Sequence, residues 1–294
     1  MNSVLQPFRQ PSEHYENFPV ASWLCPPALR APIAAIYWFA RTADDLADEG
    51  TADAQTRLAD LAQYRHDLAR AGQGQADSQR WPDVFGPLTE MIQAFGLPLP
   101  LLGKLLDAFE QDVRNTASGQ RYRDDAALVD YCSRSANPVG RLLLHLYGVH
   151  DPASLQRSDD ICTALQLINF WQDLRRDIAN GRWYASSAQM AHHGVNDADL
   201  QHDAPCPAAS QMVASYCNAA RERMCQGAPL AWQLPGRAGW ELRLVVHGGL
   251  RILDKIAAID HASWRQRPRI GKRDLPLLLL RAWGSPPSMG GRDT

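Results

Sequence analysis

The sequence predicts an all-α protein built as one helical domain over residues 1–283, with a disordered tail at 284–294. Three observations predict it. Strand signals are nearly absent, and Ala, Leu, Arg, Gln and Asp dominate the chain. Apolar residues recur at helical spacing through most of its length. No break between these stretches is long or distinct enough in composition to be a linker, and no fixed-period repeat stands out.

Helices are predicted near 28–49, 53–70, 100–117, 125–147, 153–180, 208–226 and 238–262. Breaks fall at Ala71–Pro82, around Gly96–Pro100, at Gly148–Pro152, over His192–Ala209 and at Gly227–Gly239. Pro138 lacks an N–H and is expected to kink the fourth helix. Leu275–Trp283 (LPLLLLRAW) is the most apolar stretch. It is too short to span a bilayer, which takes roughly 20 residues. Buried core is the expectation there, against a membrane-skimming segment.

Composition narrows the function. An apolar share of 45% suffices to bury a large core and line an apolar cavity as well. A net charge of −2 gives no bulk attraction to nucleic acid, so any anion site must be local. The six cysteines form no C-x-x-C pair, and Met1–Gln10 lacks the apolar core of a signal peptide. Reduced thiols and a cytoplasmic location are expected.

Two acidic stripes carry the chemistry. The first is Tyr37-x-x-x-Arg41-x-x-Asp44-Asp45-x-x-Asp48. At 3.6 residues per turn, Tyr37, Arg41, Asp44 and Asp48 share one face, with Asp45 at its edge. The second is Gln166-x-x-Asn169-x-x-x-Asp173-x-x-x-Asp177, again one face. Both follow segments that are apolar on their other sides, IAAIYWFA and ICTALQLINF. Acidic groups ending buried helices are costly unless paired or metal-bound. Carboxylates at i and i+4 suit shared Mg²⁺ ions, which take hard oxygen ligands and leave room for phosphate oxygens. Two such helices face to face would clamp a diphosphate between metals acting as Lewis acids on the leaving group, with Arg41 reaching the phosphate. The competing reading is a solvated face laced with local salt bridges, including those of Arg175 and Arg176. The recurrence of the pattern on two apolar helices favours metal–diphosphate chemistry.

These motifs resemble the squalene and phytoene synthases, over about His14 to Arg267. The resemblance implies the all-α isoprenoid synthase fold, a helical bundle around a central apolar cavity capped by two aspartate-rich helices. It also implies Mg²⁺ and farnesyl-derived diphosphate substrates. Asp44, Asp48, Asp173 and Asp177 are the implied metal ligands. Within the family, His14-Tyr15-Glu16-Asn17-Phe18-Pro19 and Ser135-Ala136-Asn137-Pro138-Val139-Gly140-Arg141 are most similar to the bacterial hydroxysqualene synthases. That likeness implies presqualene diphosphate as substrate, capture of the rearranged cation by water, and no NADPH. It places the enzyme between a presqualene diphosphate synthase and a dehydroxylating oxidoreductase. No Gly-rich dinucleotide fingerprint follows a strand here.

The sequence also departs from its relatives. Tyr15 and Asn17 stand where many carry phosphate-binding serines, and Gln172 where many carry Arg. Gly248-Gly249 replaces a C-terminal Tyr, and Arg182-Trp183-Tyr184-Ala185-Ser186 replaces the usual Arg-x-Tyr-Leu-Pro. Fewer phosphate contacts fit an enzyme handling one diphosphate rather than joining two.

The remaining candidates carry alternatives. By resemblance Tyr131 lies near the reacting carbons, against a structural half-buried Tyr. Ser135 or Asn137, beside the Pro138 break, is expected to hold the attacking water, against helix-internal hydrogen bonding. His14 and Asn17 stand in for phosphate-binding serines, against capping or core roles. Arg182 and Arg267 occupy positions where relatives keep basic residues. Asp112 reads as a solvated charge, with a supporting carboxylate as the alternative. A histidine–aspartate phosphohydrolase, suggested by His66-Asp67 and His150-Asp151, fails because the polar stripes contain no His. The readings that remain are a lyase acting on presqualene diphosphate, a condensing prenyltransferase and a non-catalytic isoprenoid-binding protein. Peripheral contact with the inner membrane face is expected from the greasy substrate and product.

Overall fold

The computed structural model describes residues 26–288. Among them no strand occurs, and thirteen α-helices and one short 3₁₀ turn follow one another. The first four are α1 (Pro27–Asp48), α2 (Ala54–Gly72), α3 (Pro82–Phe95) and α4 (Leu99–Ser118). They pack on one another around Ile36, Phe39, Leu61, Tyr64, Phe85, Leu88, Leu102 and Leu105. Phe39, Ala43 and Ala47 follow Ile36 at helical spacing on α1 and face this core, which turns the acidic stripe elsewhere. The Tyr64 hydroxyl, buried in the same core, donates to the Phe39 carbonyl at 3.1 Å.

α5 (Asp125–Ser135) and α6 (Asn137–Leu146) link this layer to α7 (Pro152–Ala179). The 28-residue α7 is buried on most sides and serves as the hub of the second core. Around it stand α8 (Ser187–His193), α9 (Asp197–Gln201), α10 (Pro207–Gly227), α11 (Leu230–Gln233) and α12 (Gly236–Ala257). Small residues let these helices close in. A Cβ at Gly249 of α12 would lie 2.9 Å from the Met224 Cε and 3.1 Å from the Leu165 Cδ2. The strap after α12 is pinned across the end of α7. Gln172 Nε2 donates to the Pro268 carbonyl at 2.9 Å, and Arg175 Nη1 to the Arg265 carbonyl at 2.8 Å. The chain ends in a 3₁₀ turn (Lys272–Asp274) and α13 (Leu275–Trp283).

Three expectations need correction. First, α3 was not predicted. Pro82 occupies its first turn, while Gly86 and Pro87 lie inside it and mask the apolar spacing of Phe85, Leu88 and Ile92. Second, the helix expected over 125–147 is two helices. Ala136 breaks the chain, and Pro138 sits in the first turn of α6, where a missing N–H costs nothing. Third, the Leu275–Trp283 stretch is not core. Only Leu278 and Ala282 are buried, against α12, while Leu280 is 71% and Trp283 81% exposed. A terminal helix with one neighbour can bury one stripe only. No helix among the described residues is long and apolar enough to cross a membrane.

Candidate active site

The two acidic stripes end at the seam between the two cores, the first on α1 and the second on α7. One guanidinium joins them. Arg182 Nη1 donates to Asp48 Oδ2 at 2.7 Å, and its Nη2 lies 3.4 Å from Asp177 Oδ1. Arg182 reaches this place through a turn at Gly181 (φ 75°), the left-handed position at which a helix end commonly needs glycine. The Arg182 N–H then donates back to the Asp177 carbonyl at 2.8 Å. The aspartates therefore converge rather than pointing to separate solvent faces.

A second arginine serves the other end of the α7 stripe. Arg267, carried in by the strap, grips Asp173 with two nitrogens, its Nη2 donating to Oδ2 at 3.0 Å. On α1, Arg41 is shared among Asp44 (3.3 Å), Asp45 (2.6 Å) and Glu49 (2.7 Å). The guanidinium expected to meet phosphate is thus occupied by carboxylates in this form. Tyr37 is half-buried one turn earlier, its ring edge-on to Trp38 at 5.2 Å. Gln166 and Asn169 are half-buried on α7 upstream of Asp173, on the expected stripe. His14 and Asn17 lie outside the described residues.

The electrostatics show a site short of positive charge. Burial, with the like charge of Asp48 behind it, raises Asp44 to about 7 despite the opposing Arg41. Burial also raises Asp177 to about 7, against the pull of Arg182 and with Asp173 adding to the rise. Asp45 is pushed up by burial as well, with Arg41 opposing. The Asp44 side chain stays 42% exposed and that of Asp177 10%, so the cluster opens on the α1 side.

Asp112 of α4 corrects the expectation of a solvated charge. Its carboxyl is pushed up to about 7, mainly by burial, and it accepts from the Tyr131 hydroxyl at 2.6 Å. Tyr131 is 3% exposed, and its phenol is held well above its ordinary range, first by burial and then by Asp112. Tyr131, Tyr122, Tyr184 and Phe170 form an aromatic wall beside the carboxylates, with Phe170 and Tyr184 stacked at 3.7 Å. Sequence reasoning missed Tyr122, Tyr184 and Phe170, which come from separate segments and share no spacing.

Ser135 and Asn137 diverge. Asn137 Oδ1 accepts from Thr163 Oγ1 at 2.9 Å and ties the start of α6 to α7. Ser135 Oγ is buried without a hydrogen-bond partner among the described residues. It lies on α5 one turn beyond Tyr131.

The donor set fits hard divalent cations. It consists of carboxylate oxygens on two facing helix ends, with burial and like charge leaving them short of counter-charge. Among the described residues no three His, Cys, Asp or Glu side chains form a ready-made cage. Guanidinium groups stand between the carboxylates instead.

Comparison with known proteins identifies the family. The squalene/phytoene synthase family model matches residues 12–274. The chain is 31% identical over 252 residues to the hydroxysqualene synthase of Rhodopseudomonas palustris, covering 85% of this chain and 82% of that one. It is 27% identical over 264 residues to the presqualene diphosphate synthase of the same organism, covering 90% and 91% respectively. The crystal structure of squalene synthase HpnC from Alicyclobacillus acidocaldarius superposes with a TM-score of 0.76 at 34% identity, over 84% of this chain and 90% of that one. With its all-helical isoprenoid synthase fold and its paired aspartate helices, the chain belongs to the squalene/phytoene synthase family.

Proposed function

We propose that this protein is a hydroxysqualene synthase, a carbon–oxygen lyase that ionises presqualene diphosphate and lets water capture the rearranged cation. The observation that supports it most is the Arg182 bridge between Asp48 and Asp177, which brings two acidic helix ends to one point. Divalent cations bound by Asp44, Asp48, Asp173 and Asp177 would supply Lewis-acid stabilisation of the departing diphosphate.

The remaining steps belong to side chains. Arg182, Arg267 and Arg41 are the cations at hand, and each can exchange a carboxylate for a phosphate oxygen as the diphosphate enters. Gln166 and Asn169, on the same face, offer neutral donors to the same anion. Breaking the carbon–oxygen bond leaves a cyclopropylcarbinyl cation. The Tyr131, Tyr184 and Phe170 rings present π-faces that steady positive charge and exclude bulk water. Tyr131 is fixed by its bond to Asp112, so the wall is preorganised. The unpartnered Ser135 hydroxyl, next to that wall, is the group suited to hold one water. Attack of this water forms the new carbon–oxygen bond and releases a proton.

Two considerations favour the lyase over a condensing transferase. The departures at Tyr15, Asn17 and Gln172 remove phosphate contacts a second diphosphate would need, and Gln172 is committed to the Pro268 carbonyl. The hydroxysqualene synthase of Rhodopseudomonas palustris is also more similar than its presqualene diphosphate synthase, 31% against 27%. The condensing reading keeps its support from that second relative. In sequence, an enzyme supplying presqualene diphosphate would precede this one, and a dehydroxylating oxidoreductase would follow. Incubation with presqualene diphosphate or farnesyl diphosphate, with Mg²⁺ and without NADPH, tests the proposal. It predicts hydroxysqualene from the first and no C30 product from the second. Presqualene diphosphate formed from farnesyl diphosphate would make the enzyme a transferase.

A further inference from the structure

The outer face of α13 is inverted for a helix in water. Around its wheel, Leu275, Leu279 and Trp283 form one stripe, and Pro276 and Leu280 extend it. All five are exposed, Leu275 and Leu279 by about half, and no polar side chain shares the arc. The one charged residue of the helix, Arg281, is turned inward to Asp254 at 3.2 Å. A contiguous apolar arc of this kind signals a covering partner.

The surrounding charge indicates which partner. Lys272 and Arg273 precede the helix, and Arg237 begins α12 three residues before Trp240, whose ring lies 5.7 Å from that of Trp283. All three cations are exposed and make no ion pair among the described residues. Two of them stand at a helix N-terminus, where the dipole disfavours positive charge, so the helix gains nothing from them. The acid next in sequence to Lys272 and Arg273, Asp274, is 4% exposed and already held by Arg251 and Lys255 at 2.8 Å each. An apolar arc flanked by unpaired cations on a chain of net charge −2 is a local reversal of sign. A second copy of the same face would bring cation against cation.

We propose that α13 is an interfacial membrane anchor. Leu275, Leu279, Leu280 and Trp283 enter the headgroup boundary of a bilayer, while Lys272, Arg273 and Arg237 meet anionic lipid phosphates. Nine residues are too few to span, so the helix lies in the plane of the surface. The anchor stands on this surface alone and does not depend on the reaction proposed above.

Co-sedimentation with phosphatidylcholine vesicles, with and without phosphatidylglycerol, tests it. The wild-type chain should sediment with the phosphatidylglycerol vesicles and be released by salt. The double variant Leu280→Glu/Trp283→Glu should partition at least about tenfold more weakly. Lys272→Gln and Arg273→Gln should each cost about fivefold. Because these side chains face solvent, the variants should keep the wild-type thermal midpoint, which excludes misfolding as the cause. Absence of wild-type sedimentation would overturn the proposal, as would undiminished binding by the double variant. A wild-type dimer in size-exclusion chromatography that the double variant dissolves would assign the face to a second copy instead. Sedimentation is read without turnover, so its failure would leave the diphosphate chemistry standing.

Discussion

Replacing Arg182 with Met should expose how much of the fold's stability the acidic cluster consumes. The methionine retains much of the apolar stem and removes the guanidinium that Asp48 and Asp177 share. The Asp48 arm is short, but its carboxylate is 34% open to solvent, so its loss costs at most about 1 kcal/mol. The Asp177 arm is buried but stretched to 3.4 Å, and is worth about 1–2 kcal/mol. Together they predict a loss of about 1–3 kcal/mol for the metal-free protein, below the 3–5 of a fully buried pair because Asp177 can take up a proton instead. That escape gives the loss a sign with pH. At about pH 8, Asp44 and Asp177 are mainly charged in the wild type and the loss is largest. At about pH 6, Asp44 and Asp177, both raised to about 7, are mainly neutral and the loss shrinks. Urea unfolding of wild type and Arg182→Met at both pH values, in chelator, measures it. A variant as stable as wild type at about pH 8, or a loss independent of pH, would refute the bridge as the element joining the two helices.

Other outcomes follow from the same geometry. In chelator, the wild-type thermal midpoint should fall as pH rises from about 6 to about 8. Asp44, Asp112 and Asp177 are raised in the folded state from 3.8 to about 7, so they stabilise it most when protonated and lose that contribution through about 7. Millimolar Mg²⁺ should restore the midpoint at the higher pH, and a flat profile in chelator would contradict the assigned burial. Ser135→Ala should divert product from alcohol to hydrocarbon, read by gas chromatography, while Asn137→Ala should mainly cost about 1–3 kcal/mol of stability through the orphaned Thr163 hydroxyl. Unchanged alcohol yield from Ser135→Ala would remove that serine from the water site.

Much of this arrangement is legible in the chain before folding. The i, i+4 spacing of Asp44 with Asp48 and of Asp173 with Asp177 fixes one face on each helix, whatever the tertiary structure. The apolar flanks IAAIYWFA and ICTALQLINF require those helices to be buried elsewhere, leaving the acids at the seam. Other features depend on neighbours that periodicity cannot reveal. Asp112 looks like any charge on an amphipathic helix until α5 brings Tyr131 over it. Arg267 reaches Asp173 from a strap that Gln172 holds at the Pro268 carbonyl, a contact no spacing announces. α3 was hidden by Gly86 and Pro87, whose helix-breaking tendency is outweighed by the burial of Phe85, Leu88 and Ile92. α13 was misjudged for the opposite reason, since an apolar run signals contact with something other than water without saying that the contact lies within the chain.

In the proposed reaction, aspartates from α1 and α7 act together, with divalent cations, on one diphosphate. Its most direct test is diphosphate release from presqualene diphosphate by wild type, Asp48→Ala and Asp173→Ala, with Mg²⁺ or excess chelator. Wild type should release diphosphate only with metal, and each variant should lose at least about a hundredfold, about 2.7 kcal/mol of barrier. Full release in chelator, or by both variants, would contradict it.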